Sequence, residues 1–184
     1  CVVVDPDADR LVLIDENGEI LSEEFLLPLI ARSLKQQNTK GTIVVNLSTS
    51  RMIDEAVKDS ALIVLRSAVG ERNVVQTMKT HEAIFGGEGS GSTIDPQVHY
   101  GRDSLVGIVH IINLLRSQDK SISELVDTIP KLTMKKLILH DMTDERYHKL
   151  VGDIAEKVRQ KPSCVVSRID GFHVSTKEWW LHIR

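Results

Sequence analysis

The chain has 184 residues, of which 41% are hydrophobic and 27% are charged, an ordinary globular composition with room for one or two cores. Its net charge of −3 is spread along the sequence without long blocks of one sign, which argues against nucleic acid or an anionic membrane surface as the main partner. No apolar run approaches the roughly 20 residues that span a bilayer, and no signal peptide is visible. Two cysteines do not make a disulfide framework, so we expect a cytoplasmic location.

An acidic loop follows a short β-branched run at the start of the chain. Val2–Val4, which we expect to be a buried strand, is followed by Asp5, Asp7 and Asp9 and then by Arg10. Unpaired, three carboxylates this close would raise one another's pKa, whereas a divalent cation keeps them ionised. Three hard oxygen ligands on a short loop predict a Mg²⁺ site whose positive charge can face a phosphate.

Three other interpretations apply to this loop. An EF-hand would also use Glu16, but Arg10 stands where that loop needs glycine, and the flanking segments are strand-like. A phosphatase of the haloacid-dehalogenase type, in which a strand ends in Asp-x-Asp and Asp5 is the nucleophile, stays open. A solvated acidic turn is the simplest alternative, and the third carboxylate, the proline and the arginine argue against it.

Strands and helices alternate in the next part of the chain. Leu11–Ile14 predicts a strand that turns at Asn17-Gly18, and Ser22 is a good N-cap for the helix that follows. Apolar residues of that helix form a stripe: Phe25, Leu26, Leu29, Ile30 and Leu34. Further strand-like and helix-like segments alternate: Ile43–Val45, Met52–Val57, Leu62–Leu65, Val74–Met78 and Ala83–Phe85. The pattern predicts an α/β fold with a mixed, largely parallel sheet covered by helices, and ligands bind beyond the carboxyl ends of such strands.

A glycine-rich segment, Gly86–Gly91, follows the last of these strands. Glycine lets the backbone approach a ligand closely. Glu88 can accept hydrogen bonds from sugar hydroxyls, and Ser90 can donate or accept them. For a bare glycine-rich segment a flexible Gly/Ser turn is the simpler interpretation, and a solvent-accessible loop that binds a sugar is the alternative.

The C-terminal third predicts two more helices and then a smaller domain. Asp103–Ser117 is a predicted helix with one apolar face: Leu105, Ile108, Val109, Ile112 and Leu115. A capping box at Ser121–Glu124 begins a second helix that stops at Pro130, where we place a domain boundary. Beyond it we predict a strand, a helix and three strands: Leu137–Leu139, Asp144–Gln160, Cys164–Ile169, Phe172–Val174 and Trp179–Ile183. This order indicates a small α+β domain with an antiparallel sheet.

Together these motifs resemble those of the α-D-phosphohexomutases. Residues 5–10 resemble the metal loop of that family, Asp-x-Asp-x-Asp-Arg, and residues 87–92 resemble its sugar-binding loop, Gly-Glu-x-Ser-Gly-His. Residues 100–103 resemble the segment after the sugar loop, and a Val-Gly turn at 69–72 lies between the two motifs. The resemblance covers essentially the whole chain.

The resemblance implies an enzyme that interconverts hexose 1-phosphate and hexose 6-phosphate through a phosphoserine, a hexose 1,6-bisphosphate and Mg²⁺. The hexose, which could be mannose, glucose or glucosamine, stays open. Arg10 would clamp the transferring phosphoryl group beside the metal. The implied substrate contacts are Gly70, Glu71, Arg72, Glu88, Ser90 and Arg184. A non-catalytic module that binds metal and sugar phosphate is the alternative from another functional class.

Three positions depart from the family pattern. Ser92 stands where many members have His, Glu71 where some have His, and Ser48 where some have Lys. General acids and bases are usually drawn from these positions, so the proton-transfer residue stays open.

The resemblance also implies a division into domains. The family has four, and residues 1–10 would close the second with the metal loop, 11–130 would form the third, sugar-binding domain, and 131–184 would form most of the fourth. No Ser-His-Asn-Pro loop occurs in the sequence. We therefore expect a fragment that is inactive alone and that works with the remaining domains of its parent chain.

Overall fold

The computed structural model describes residues 1–159, 161 and 163–184. The described residues form two compact units, Cys1–Thr133 and Met134–Arg184. The predicted domain boundary at Pro130 lies shortly before this division. Among the described residues, no helix has both the length and the apolar character needed to cross a membrane.

The chain begins with a two-stranded antiparallel ribbon. β1 (Val2–Val4) pairs with β2 (Leu11–Leu13), and Val4 lies opposite Leu11. Leu11 and Leu13 are buried in the core, whereas the side chains of β1 are 41–48% exposed. β1 is a strand as predicted, but the expectation that it is buried is wrong, because β2 is the only described strand that pairs with it.

The first helix begins where its cap predicts. Before this helix, the turn that the sequence predicts at Asn17-Gly18 is present, and Gly18 has a φ of 84°. The hydroxyl of Ser22 accepts a hydrogen bond from the backbone N–H of Glu24 at 3.4 Å, and a short 3₁₀ turn, Glu23–Phe25, leads into α1 (Leu26–Gln36). This confirms the predicted helix start, since a hydroxyl at the N-cap satisfies one of the otherwise unpaired N–H groups.

A four-stranded sheet forms the centre of the first unit. Its strands, in chain order, are β3 (Gly41–Asn46), β4 (Leu62–Ser67), β5 (Phe85–Glu88) and β6 (Ser92–Ile94). The spatial order is β4-β3-β5-β6, with β3 parallel to β4 and β5, and with β6 antiparallel to β5. The mixed, largely parallel sheet is confirmed, although the sequence did not predict β6.

Helices cover both faces of this sheet. Besides α1, they are α2 (Met52–Val57), α3 (Glu71–Thr80), α4 (Ser104–Gln118) and α5 (Ile122–Asp127). Successive side chains of a strand point to opposite faces. Ile43 and Val45 therefore join the larger core cluster with α1, α2, α4 and α5, whereas Val44 joins a smaller cluster with Val74 and Met78 of α3.

α4 buries only part of the predicted face, on which Ile108 and Leu115 are half-buried against the core. Leu105, Val109 and Ile112 are exposed, although they have the spacing of a buried stripe. The buried residues with the same spacing are Gly107, Ile111 and Leu114. Periodicity alone cannot choose between two apolar faces, and close packing favours the one with glycine. A Cβ at position 107 would lie 3.1 Å from the side chains of Leu11 and Thr93.

The second unit is a helix with a three-stranded antiparallel sheet. Its elements are α6 (Asp144–Arg159), β7 (Val165–Ser167), β8 (Phe172–Ser175) and β9 (Trp180–Ile183). The strand order is β7-β8-β9. The core of this unit consists of Val151, Val158, Phe172 and Val174. The small α+β arrangement is confirmed, and the last predicted residue of the helix, Gln160, lies outside the described residues.

One predicted strand of the second unit is wrong. Residues 137–139, which the structure describes, form no strand, and their side chains are 57–82% exposed. A strand needs a neighbouring strand for its backbone hydrogen bonds. None of the described strands pairs with this segment, so three consecutive apolar residues were not sufficient to specify a strand.

Candidate metal and sugar-phosphate site

The acidic loop closes the ribbon between β1 and β2. The backbone N–H of Ala8 donates to the carbonyl oxygen of Asp5 at 3.0 Å, and Ala8 has a φ of 56°. Oδ1 of Asp5 accepts from the backbone N–H groups of Asp9 and Arg10 at 3.2 and 3.1 Å. The carboxylate of Asp5 therefore fixes the path of the loop.

The same carboxylate is also paired with Arg10. Oδ2 of Asp5 accepts from Nε of Arg10 at 2.8 Å. Desolvation alone would raise the pKa of Asp5, but the two backbone hydrogen bonds and the Arg10 charge lower it below its ordinary value. Asp5 is thus ionised at neutral pH and can bind a cation.

The three predicted ligands converge. One carboxylate oxygen from each of Asp5, Asp7 and Asp9 lies within 4.8 Å of the others. Oδ1 of Asp9 is buried and has no hydrogen-bond partner among the described residues, although Nε of Arg10 lies 3.4 Å away. The guanidinium of Arg10 offsets part of the cost of this buried anionic oxygen, and a bound cation would offset more of it. The residues present therefore fit a small divalent cation with oxygen ligands.

Glu88 connects the ends of three strands. It is the last residue of β5, and its Oε1 accepts from Nδ2 of Asn46 at 2.6 Å and from the backbone N–H of Gly70 at 2.9 Å. The loops after β3, β4 and β5 thus meet at one edge of the sheet, as predicted. The expectation that Glu88 lies in a solvent-accessible loop is wrong, because Glu88 is buried, with only 7% of its surface exposed.

The acidic loop and the glycine-rich segment pair directly. Arg10 and Ser92 form an antiparallel bridge, and the backbone N–H of Leu11 donates to the carbonyl oxygen of Gly91 at 2.9 Å. Gly91 has a φ of 90°, and a Cβ there would lie 2.6 Å from the carbonyl oxygen of Leu11. Glycine is therefore needed for this approach, which places the two motifs side by side.

Glu71 contacts a residue that the sequence did not single out. Its Oε1 accepts from the backbone N–H of Arg102 at 3.1 Å, and its Oε2 lies 3.3 Å from Nε of the same arginine. Nη2 of Arg102 forms an ion pair with Oδ2 of Asp9. The resemblance of residues 100–103 to the family was the sequence signal that could have pointed to Arg102. Its partners could not be predicted, because Asp9 and Glu71 are distant from it in the sequence.

The glycine-rich turn has further supports that sequence analysis missed. Oγ1 of Thr49 accepts from the backbone N–H of Gly89 at 3.1 Å. Oε2 of Glu24 accepts from the backbone N–H of Ser50 at 2.9 Å, and a Cβ at Gly89 would lie 2.1 Å from that oxygen.

The other predicted substrate contacts occupy separate places. Ser90 is half-buried at the tip of the β5–β6 turn, and Arg72 is exposed in the first turn of α3. Arg184 follows β9 in the second unit, where its Nη1 lies 3.6 Å from Oδ2 of Asp170. The substrate contacts of all three stay predictions.

The positions that depart from the family pattern have structural partners. Oγ of Ser92 is buried and accepts from the backbone N–H of Glu88 at 3.2 Å. The backbone N–H of Ser48 donates to Oδ1 of Asn46 at 2.9 Å. These contacts assign no general acid or base.

Comparison with known proteins identifies the family. The family model described as "Phosphoglucomutase/phosphomannomutase, alpha/beta/alpha domain III" matches residues 22–132, more than half of the chain. The chain belongs to this family. The matched phosphoglucomutase/phosphomannomutase segment includes Glu71, Glu88 and Arg102, whereas the acidic loop precedes it.

Curated relatives agree with this phosphoglucomutase/phosphomannomutase assignment. A phosphoglucomutase/phosphomannomutase from Thermococcus kodakarensis is 30% identical over 183 residues, which cover 100% of this chain and 40% of the relative. A probable phosphoglucosamine mutase from Methanosarcina acetivorans is 32% identical over 182 residues, which cover 98% of this chain and 40% of the relative. The chain thus spans about 40% of the length of these curated relatives.

Solved structures of the same superfamily share the fold. A phosphoglucomutase/phosphomannomutase family protein from Burkholderia thailandensis matches with a TM-score of 0.78 at 21% identity, over 97% of this chain and 38% of that chain. N-acetylphosphoglucosamine mutase from Aspergillus fumigatus, in complex with GlcNAc-6P and magnesium, matches with a TM-score of 0.58 at 13% identity, over 85% of this chain and 44% of that chain. Both likenesses confirm the predicted fold class.

Proposed function

We propose that the chain supplies the metal loop and the sugar-binding loop of a phosphohexomutase that interconverts hexose 1-phosphate and hexose 6-phosphate. One observation carries the proposal: the ribbon that bears the three carboxylates pairs with the segment that bears Glu88 and Ser90, through Arg10 and Ser92. A metal site beside a sugar-binding turn suits the transfer of a phosphoryl group on a sugar.

The carboxylates of Asp5, Asp7 and Asp9 would hold Mg²⁺. When bound, the ion would neutralise charge on the transferring phosphoryl group. The side chain of Arg10 is 51% exposed beside these carboxylates, so its remaining N–H groups can donate to phosphate oxygens. The names of the curated relatives support this function, and the Aspergillus fumigatus neighbour in complex with magnesium supports the metal.

The sugar would bind at the edge of the sheet where the three loops meet. Glu88 is held there by Asn46 and Gly70, and Ser90 stands at the tip of the same turn. Hexose phosphates and hexose 1,6-bisphosphate would be the ligands, with mannose, glucose and glucosamine as the candidate sugars. The sequence has no Ser-His-Asn-Pro loop, so the proposed reaction needs a phosphoserine from other domains. We also propose that the protein is cytoplasmic.

Titration calorimetry with MgCl₂ tests the metal site. Asp7 is the residue to replace, because Asp5 and Asp9 also make contacts within the protein, whereas Asp7 is exposed in the loop. We expect Asp7→Asn to weaken Mg²⁺ binding, and we expect the matched change Asp153→Asn, on an exposed position of α6, to leave it unchanged. If the wild type and Asp7→Asn bound Mg²⁺ with equal affinity, the proposed metal site at this loop would be wrong.

A second experiment separates the proposal from its alternatives. A haloacid-dehalogenase-type phosphatase would become phosphorylated on Asp5, whose two oxygens here accept hydrogen bonds from Arg10 and the loop backbone. Beryllofluoride trapped on Asp5 would favour that phosphatase. A protein that contains this chain and binds hexose phosphate, yet converts no hexose 1-phosphate to hexose 6-phosphate, would be a binding module.

A further inference from the structure

We propose that Arg102 is a positioning residue for the metal loop. Arg102 engages one oxygen of Asp9 and leaves the other oxygen for the cation, and this arrangement favours binding of Mg²⁺ over Ca²⁺. The inference deepens the proposed function and rests on it. It concerns how the loop selects its cation, which the three carboxylates alone do not decide.

The two oxygens of Asp9 have different surroundings. Oδ2 forms an ion pair with Nη2 of Arg102, whereas Oδ1 is buried and has no hydrogen-bond partner among the described residues. The side chain of Asp9 is only 14% exposed, so water does not readily replace Arg102 at Oδ2, and the nearest cation to Oδ1 is Nε of Arg10 at 3.4 Å. Because Arg102 occupies Oδ2, Asp9 offers a single oxygen, Oδ1, to a cation.

Arg102 is itself held in place by Glu71. Glu71 accepts from the backbone N–H of Arg102 through Oε1 and lies 3.3 Å from its Nε through Oε2. Nε of Arg102 is buried and makes no hydrogen bond among the described residues, so its contact with Glu71 is an ion pair only, whereas Nη2 reaches Asp9. The guanidinium thus carries its charge between two carboxylates, whereas lysine has a single charged nitrogen. Glu71 begins α3, and Arg102 precedes α4, so two elements of the sheet unit fix this contact.

The second arginine of the site has a different position. Nε of Arg10 donates to Asp5 at 2.8 Å and lies 3.4 Å from Oδ1 of Asp9. Its side chain is 51% exposed, against 27% for Arg102. The more exposed Arg10 is placed to contact a phosphate, whereas the less exposed Arg102 is placed to orient a metal ligand.

A single oxygen from Asp9 suits Mg²⁺ better than Ca²⁺. Mg²⁺ requires a compact octahedral shell, whereas Ca²⁺ accepts more ligands and binds carboxylates through both oxygens. Without Arg102, the carboxylate of Asp9 can turn and offer both oxygens. Partners that orient a metal ligand typically contribute about 10- to 100-fold to metal affinity. Loss of Arg102 should therefore weaken Mg²⁺ more than Ca²⁺.

The test measures the ratio of the two affinities. Free Mn²⁺ is followed by electron paramagnetic resonance in the purified protein, and bound Mn²⁺ is displaced by Mg²⁺ or by Ca²⁺. The variants are Arg102→Gln, Arg102→Lys and Glu71→Gln, with Arg116→Gln on an exposed position of α4 as the matched control. Thermal unfolding of each variant is recorded in parallel.

We expect Arg102→Gln to lower the Mg²⁺ affinity by about 10-fold or more and to lower the ratio of Mg²⁺ to Ca²⁺ affinity. Arg102→Lys should fall between this variant and the wild type. Glu71→Gln keeps Arg102 and weakens its anchor, so it should shift the ratio in the same direction if Arg102→Gln does not fold. Arg116→Gln should match the wild type.

Two results would overturn the inference, and they are distinguishable. If Arg102→Gln lowers the unfolding temperature but leaves the ratio unchanged, Arg102 serves the fold alone. If the wild-type protein binds neither Mn²⁺ nor Mg²⁺ at this loop, the proposed function fails and the inference fails with it.

Discussion

Glu88 joins the ends of three strands, because its Oε1 accepts from Nδ2 of Asn46 and from the backbone N–H of Gly70. Glu88→Ala removes this acceptor from a buried place, so we expect the free energy of unfolding to fall by about 1–3 kcal/mol. Glu88→Gln keeps an acceptor oxygen and removes the charge, so it should keep most of the stability and lose affinity for hexose 6-phosphate. Urea denaturation and titration calorimetry measure the two effects.

The comparison of Gln with Ala separates the two tasks of Glu88. Glu156→Gln, on an exposed position of α6 in the other unit, is the control for loss of a carboxylate elsewhere. If Glu88→Gln bound hexose 6-phosphate as tightly as the wild type, the carboxylate would serve only to hold the loops together.

At the scale of single residues, local sequence predicted the groups but not their partners. Asp5, Asp7 and Asp9 were predicted as ligands because their spacing on one short loop brings them together whatever the rest of the fold does. The contact of Arg102 with Asp9 depends on how distant segments pack, which no local pattern records. Asn46 was missed for the same reason, since its partner Glu88 lies on another strand.

The turn after β2 is tied to the start of α5 by Glu16. The hydroxyl of Ser123 donates to its carboxylate, and hydrogen bonds from the side chains of Ser123 and Ser121 lower the pKa of Glu16 from 4.5 to about 2. Because the folded pKa lies below the unfolded value, this carboxylate stabilises the fold above pH 4.5, and the contribution is lost as the pH falls from 4.5 towards 2.

We therefore expect Glu16→Gln to lower the urea midpoint at about pH 7 and to change it much less at about pH 2. Glu19→Gln, at an exposed position of the same turn, is the control for loss of a nearby carboxylate. An equal effect of Glu16→Gln at both pH values would show that the contact does not depend on the charge of Glu16.

At the scale of elements, capping and periodicity located the helices and the buried stripe of α1, but periodicity did not give the full buried face of α4. The hydroxyl of Ser22 and the capping box at Ser121 mark helix starts through local hydrogen bonds, so the sequence contains the whole signal. α4 has apolar residues on two faces, and the choice depends on what packs against Gly107. β6 was missed because only three residues follow a glycine-rich turn.

At the scale of the whole molecule, the order of elements was enough to predict the architecture. In the four-stranded sheet, β3 and β4 are each followed by a helix, and this alternation imposes parallel pairing because a crossover helix returns the chain to the end of the sheet where the previous strand began. The strand predicted at 137–139 had no such constraint. A lone apolar run does not specify a partner, and none of the described strands supplies one.

The two units have separate hydrophobic cores, which leads to a prediction about the first of them. Residues 1–133 contain the larger core cluster and the smaller one beside α3, the four-stranded sheet and every candidate site residue except Arg184. We expect a protein truncated after Thr133 to fold cooperatively, with a smaller urea m-value because less surface is exposed on unfolding. Its Mg²⁺ affinity should equal that of the whole chain, and Asp7→Asn in the truncated protein is the control. A truncated protein that is unfolded by circular dichroism, or that folds and binds Mg²⁺ more weakly, would mean that Met134–Arg184 supports the metal loop.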